Sequence, residues 1–377
     1  SGAVSVQCLE QEGRDALDHP YPLFADLNYG SPKPPTYIYP AILWTKVFGH
    51  AIASYRAFSG FITVLTIGGI FWLTLCLFDI RAAAWASLLA SVSPTVFQFS
   101  RVALEAGLAP LFLVWGMLCY VAADRRVAGV GAGTLFAFAM YSYPPARLFV
   151  PLFVVVLISI RWIQGQRNIG LMAGTLVALV IVSIPLVQGT LSGAYMGRFN
   201  KIGILSAEYL SAQGKAFTFG DIAGEFTRNY GKHLSPSYLF IKGDKNLVYS
   251  TGTFGLLSWV DTLALFVGVL VLFYWAYSKW IQKKSSPEHR SWSIVLLVSG
   301  VVLSVVPAAL TWQDIPHSLR MILFWPFLAM INGVSLAVGC RYVRGLAPLS
   351  LILSGVFLSA YLSNYFRVYP ERSYYMF

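Results

Sequence analysis

Three runs of this chain, residues 61–78, 171–187 and 262–278, contain no charged residue at all. An α-helix needs roughly 20 apolar residues to cross about 30 Å of hydrocarbon, and inside a bilayer the helix must satisfy its own backbone N–H and C=O groups. Runs of this kind therefore point to membrane-spanning helices. The whole chain agrees: its 377 residues are 57% hydrophobic and 11% charged, with a mean hydropathy of +0.64. A soluble domain carries about 25% charged residues. The expected fold is an all-α polytopic membrane protein. Ten spans are expected, near residues 56–78, 82–98, 104–122, 128–142, 147–160, 168–188, 256–278, 292–310, 320–339 and 346–364. The segment 37–48, interrupted by Pro40 and Lys46, is too short to cross and is expected to lie along the interface.

Charge placement orients this layout. Alternate loops carry Arg81; Arg125 and Arg126; Arg161 and Arg167; Lys279, Lys283, Lys284 and Arg290; and Arg341 and Arg344, eleven basic residues in all. The opposite short loops hold four, Arg56, Arg101, Arg147 and Arg320. The richer face should be cytoplasmic. The organisation expected is an outer first loop with a juxtamembrane helix (1–55), spans (56–188), a large outer loop (189–255), further spans (256–364) and an outer tail (365–377). Between residues 191 and 254 the large loop gathers Arg198, Lys201, Lys232, Lys242, Asp244 and Lys245 among Gly, Ser, Asn and Tyr. A bilayer scaffold with one large polar segment suits work on a lipid-borne substrate better than conduction.

Several classes lose support. The net charge of +11 is explained by the loops, so nucleic acid is not an expected partner. Cys8, Cys76, Cys119 and Cys340 are far apart and the five histidines are scattered, which gives neither a disulfide framework nor a metal site. There is no phosphate-binding glycine loop, no HExxH and no GxSxG. Glu105 and Asp261 sit near outer helix ends, so the midplane charges of an ion-coupled transporter are not seen.

Polar groups that could carry chemistry gather on the outer face. The first segment offers Glu10, Glu12, Asp15, Asp18, His19 and Asp26, followed by Lys33 with Pro34 and Pro35 fixing the backbone behind it. A cation at headgroup depth suits a lipid phosphate; a snorkelling lysine is the plain alternative. Arg101 and Glu105 are spaced for a local i,i+4 ion pair. The turns Tyr141-Ser142-Tyr143-Pro144-Pro145-Ala146-Arg147 and Pro316-His317-Ser318-Leu319-Arg320 add two cations and a proton carrier, or else belong to an interfacial anchor belt. Carboxylates for proton abstraction beside cations for a departing phosphate would make a workable active site.

These segments, in this order, resemble the GT-C class of membrane glycosyltransferases, specifically the bacterial relatives of protein O-mannosyltransferases and of the lipid A aminoarabinose transferase. The resemblance rests on Gly13-Arg14-Asp15, Lys33-Pro34-Pro35-Thr36-Tyr37-Ile38-Tyr39, Tyr55-Arg56-Ala57-Phe58-Ser59-Gly60, Ser93-Pro94 with Ser100-Arg101, and Tyr143-Pro144-Pro145-Ala146-Arg147. Leu234-Ser235-Pro236, Leu239 to Asp244 and Ile315 to Arg320 extend it. It implies a GT-C-like helix bundle in the bacterial inner membrane with the large loop outside. It also implies transfer of a sugar from a polyprenyl-phosphate carrier to a hydroxyl of a lipid, glycan or protein acceptor, with inversion. An outer-loop aspartate would be the base and Lys33 would bind the phosphate, with Arg101, Arg147 and Arg320 as further candidates. Glu105 and His317 complete the expected substrate-binding set. The lipid-linked sugar is the substrate, and no cofactor or metal is expected. The family's Asp-Glu pair falls at or just before Ser1 by this spacing, so the catalytic Asp and a first helix are expected upstream, with Asp15 and Asp18 as substitutes. A degenerate, non-catalytic subunit with partners in a larger membrane complex is the alternative.

Overall fold

The computed structural model describes residues 33–192, 201–212, 218–282 and 288–374, together with Val6, Leu9, Glu10, Gly13, Asp15 and residues 21–24. The side chains of 272–290 are not described. Asp18, Arg198, Lys283 and Lys284 therefore lie outside the described residues.

Fifteen α-helices are described. Helix α1 (Pro35–Phe48) starts on the extended Pro34 with a proline in its first turn and stops at Gly49, whose positive φ of 77° ends the spiral. Its 14 residues extend about 21 Å, too little to cross a bilayer. Helix α2 (Ile52–Leu77) is a full span. The next expected span, 82–98, is instead two helices, α3 (Ile80–Val92) and α4 (Pro94–Arg101), bent by 59°. Pro94 supplies no N–H and pushes Ser93 out of the helical region, to ψ 129°. A 3-10 turn (Glu105–Gly107) leads into α5 (Leu108–Ala122), followed by α6 (Arg126–Ser142), α7 (Pro144–Ile163) and α8 (Ile169–Leu191). Asn168 caps α8 by accepting from the Leu171 N–H at 3.0 Å.

Among the described residues, the large loop carries the helices α9 (Ala207–Ala212) and α10 (Phe219–His233) and a π-helical turn at Ser237–Lys242. Thr218 and Asp221 form a capping box at the head of α10. Helix α11 (Trp259–Gln282) begins on Ser258, whose backbone N–H and hydroxyl both donate to Asp261. Helices α12 (Glu288–Ala309), α13 (Phe324–Tyr342), α14 (Leu346–Arg367) and α15 (Tyr369–Ser373) complete the chain, with a 3-10 turn at Leu319–Met321 ahead of α13.

Among the described residues, seven helices are long and apolar enough to span, or eight with the bent α3–α4 pair. Of the ten expected spans, α6 has 17 residues and the apolar part of α11 among the described residues is Trp259–Val271. The chain is a multi-pass integral membrane protein. Side chains such as Val64, Trp72, Ile181 and Ile352, each more than half exposed, form the surface that lipid covers.

Between helices in lipid there is no hydrophobic drive, so close contact comes from small residues. A Cβ on Gly129 would run into the Leu171 carbonyl, and one on Gly133 into that of Thr175, which is why α6 and α8 can touch backbone to backbone. The largest core cluster fills the space around Phe136, Phe149, Phe153 and Phe327, all fully buried. Polar loops sort into two groups. Arg341 pairs with Asp79 at 2.7 Å and Arg161 with Asp124 at 3.4 Å, joining loops of the basic face. Other long-range polar contacts link Lys33 with Glu105, Thr36 with Ser142 and Asp244 with Ser318 in the opposite loops.

Candidate functional site

Lys33 stands one residue before the proline-framed start of α1, and its ammonium donates to Glu105 Oε1 at 3.0 Å. The two side chains are 16% and 25% exposed, so the pair is largely shielded but reachable. Thr36 places its hydroxyl 3.0 Å from that of Ser142, the last residue of α6. Next to it, Tyr141 stacks on Phe24 with ring centroids 5.7 Å apart. The start of α1, the turn before α5 and the end of α6 thus meet at one place.

Tyr37, one turn beyond Lys33, is 1% exposed, and its hydroxyl has no hydrogen-bond partner among the described residues. Burial first, and the Glu105 carboxylate second, push the phenol well above its ordinary range. Leu104 and Gly107, flanking Glu105, line a narrow opening whose walls are mostly apolar, including Val96, Phe99, Ile322 and Trp325.

Arg101 takes no part in a local pair with Glu105. The helix ends at Arg101, Val102 turns extended (φ −92°, ψ 120°), and the i,i+4 geometry is lost. Its guanidinium lies instead 4.0 Å above the Tyr365 ring and 5.9 Å from that of Phe97. Arg147 sits partly buried in the first turn of α7. Asp15 is 7% exposed.

His317 and Arg320 belong to a second, buried cluster that fastens the large loop. Asp244, 3% exposed, accepts from the Ser318 N–H at 2.6 Å and from the Ser318 hydroxyl at 2.8 Å. His317 Nδ1 lies 4.0 Å from the same carboxylate, and its ring packs on Tyr249. Arg320 donates to the Thr311 hydroxyl at 2.8 Å and to the Gln313 carbonyl. Residues 202–204 pair with 310–312 through two backbone hydrogen bonds of 2.9 Å. Burial holds the Asp244 carboxyl above its ordinary value, against the pull of the Ser318 and Asn246 donors and Arg320.

His233 closes this cluster. Its Nδ1–H donates to the Asn229 carbonyl at 2.8 Å, while Nε2 accepts from the His317 N–H at 3.1 Å. Both nitrogens are used by the neutral ring, so protonating Nε2 would break the second bond. Burial, with Arg320 and Lys232 adding, lowers the pKa from 6.5 to about 4. A histidine depressed in the fold contributes stability above pH 6.5 that is lost as pH falls towards 4, up to about 3 kcal/mol. Asp244 shifts the other way and offsets the lower end of that window. Thermal unfolding in detergent should therefore show a lower Tm at pH 5 than at pH 7.5, and His233→Gln should flatten that slope.

Sequence reasoning grouped Lys33, Arg101, Arg147, His317 and Arg320 on one face. The structure pairs Lys33 with Glu105, gives Arg101 to the aromatic ladder of α14, and gives His317 and Arg320 to the loop fastening. It adds Tyr37 and Ser142 to the first cluster and Asp244, His233 and Ser318 to the second. No group of three His, Cys, Asp or Glu side chains close enough to hold a metal ion occurs among the described residues.

The model of the dolichyl-phosphate-mannose-protein mannosyltransferase family matches residues 32–187, from the Lys33 segment almost to the end of α8. The archaeal oligosaccharyltransferase AglB from Archaeoglobus fulgidus, solved with an inhibitory peptide and a dolichol-phosphate, has a similar structure with a TM-score of 0.55. The two are 13% identical, over 95% of this chain and 51% of that one. The fold is similar to that of this oligosaccharyltransferase over nearly the whole chain. The apo crystal structure of the A. fulgidus oligosaccharyltransferase is similar too, with a TM-score of 0.54 and 14% identity over 96% of this chain and 51% of that one. The chain spans about half the length of these structures. No curated protein sequence matches it. The stretch that the mannosyltransferase model matches contains Lys33, Thr36, Tyr37, Glu105 and Ser142 of the first cluster.

Proposed function

We propose that the chain is a glycosyltransferase that moves a sugar from a polyprenyl-phosphate carrier to an acceptor hydroxyl, with inversion at the anomeric carbon. The site lies on the outer face of a bacterial inner membrane. The observation that carries this reading is Lys33, held by Pro34 and Pro35 beside an apolar opening and inside the stretch similar to the mannosyltransferases.

In this reading the polyprenyl chain lies along the apolar opening and the donor phosphate meets the Lys33 ammonium. The acceptor oxygen attacks the anomeric carbon from the side opposite the phosphate, forming one C–O bond as the other breaks. An aspartate of the segment preceding Lys33 takes the acceptor's proton. The bond electrons leave on the phosphate, whose growing charge Lys33 stabilises. The large loop, fastened through Asp244 and Ser318, covers the acceptor side. The reaction as written calls for neither metal nor sugar nucleotide.

Purified protein in liposomes, given a radiolabelled polyprenyl-phosphate hexose of one anomeric configuration and lipid, glycan and peptide acceptors, tests it. The expected product carries the sugar with the opposite configuration and releases polyprenyl phosphate. A product of retained configuration, or no dependence on the lipid donor, would contradict the reading.

A further inference from the structure

Glu105 and Tyr37 have no part in the transfer just described, yet both are built around Lys33. The Lys33 ammonium already has an anion, the Glu105 carboxylate at 3.0 Å. An incoming phosphate and this carboxylate would compete for the same cation, and two anions side by side repel. One turn along α1 lies a hydroxyl that is 99% buried by residue area and makes no hydrogen bond among the described residues. Leaving such a group unpaired costs about 1–3 kcal/mol, which argues for a partner in another state of the site. The Glu105 carboxylate is close enough to act on that phenol electrostatically, and a phenol kept protonated is a hydrogen-bond donor.

We infer that Glu105 is a resident counter-ion that occupies the place of the donor phosphate on Lys33, and that the Tyr37 hydroxyl receives its carboxylate when the phosphate displaces it. The inference rests on the reading of Lys33 as the phosphate ligand and deepens it. It makes Glu105 and Tyr37 positioning residues. Glu105 sets how strongly an anion must bind before it can enter, which favours a phosphate over a singly charged carboxylate lipid. Tyr37 keeps the displaced carboxylate from being stranded beside the new anion.

Binding of a polyprenyl monophosphate to the purified full chain in nanodiscs separates these roles. Glu105→Gln should bind the lipid about five-fold more tightly, the equivalent of removing a partly shielded ion pair. The gain should vanish in Lys33→Ala/Glu105→Gln, because there is no cation left to compete for. Tyr37→Phe should weaken binding where Glu105 is present and have no effect in the Glu105→Gln background. If Lys33→Ala weakens binding but Glu105→Gln leaves it unchanged or weaker, the counter-ion role is overturned and the Lys33 reading stands. If Lys33→Ala binds as wild type does, the Lys33 reading itself fails. Should Glu105→Gln not fold, as judged by its Tm, Glu105→Asp replaces it. The shorter carboxylate reaches Lys33 less well and should also bind more tightly, and unchanged or weaker binding overturns the inference.

Discussion

Lys33→Ala is expected to lower sugar transfer by about 100-fold or more, the usual effect of removing one group that stabilises developing negative charge. The same change should shift Tm little, because a partly exposed ion pair such as Lys33–Glu105 contributes about 1 kcal/mol or less. Lys33→Arg should keep part of the activity. Phosphate accepts either cation, but the planar guanidinium is longer and would meet Glu105 in a different geometry. Transfer rate and Tm measured on the same preparations check the claim. A large fall in Tm together with activity would mean that Lys33 holds the fold, and unchanged transfer would remove it from the site.

Asp244→Ala has the largest expected effect on stability. The carboxylate is 3% exposed and accepts from the Ser318 N–H, the Ser318 hydroxyl and, through its other oxygen, the Asn246 N–H at 2.9 Å. Truncation would leave those buried donors unpaired, a loss of about 3 kcal/mol or more. Asp244→Asn should cost less, because its amide oxygen can still accept. The large loop should then open before the helix bundle does, so limited proteolysis ought to cut between α10 and α11 first. A Tm equal to wild type for Asp244→Ala would show that the loop is fastened elsewhere.

The helix bundle was legible because hydrocarbon imposes it. Runs such as 61–78 and 171–187 have one stable conformation in lipid, and the structure carries α2 and α8 there. The short reach of α1 was equally readable from its length and prolines. The break at Ser93–Pro94 carried a local signal in the proline, but hydropathy averaged across it read a single span. The closeness of α6 and α8 depends on which face of each helix bears Gly129, Gly133 and Gly174, which composition does not reveal.

The site was half legible for a physical reason. Lys33 announced itself through its prolines, and Glu105 as one of few charges near a span. Their pairing across 72 residues of chain was hidden, since spacing favoured Arg101 as the local partner of Glu105. That pair needs a helix through Val102, and the chain leaves the helix there. The buried cluster of Asp244, His233, Ser318 and Arg320 was also hidden. Each looks like an ordinary polar loop residue until the turn at 311–320 folds onto the loop after α10.

The central claim is that Lys33 receives the phosphate of a polyprenyl lipid. A structure of the full chain determined with a bound polyprenyl phosphate tests it most directly. The account predicts the phosphate within about 3 Å of the Lys33 ammonium, the lipid chain in the opening beside Leu104 and Gly107, and Glu105 turned to the Tyr37 hydroxyl. A phosphate bound elsewhere, with Lys33 and Glu105 still paired, would contradict it.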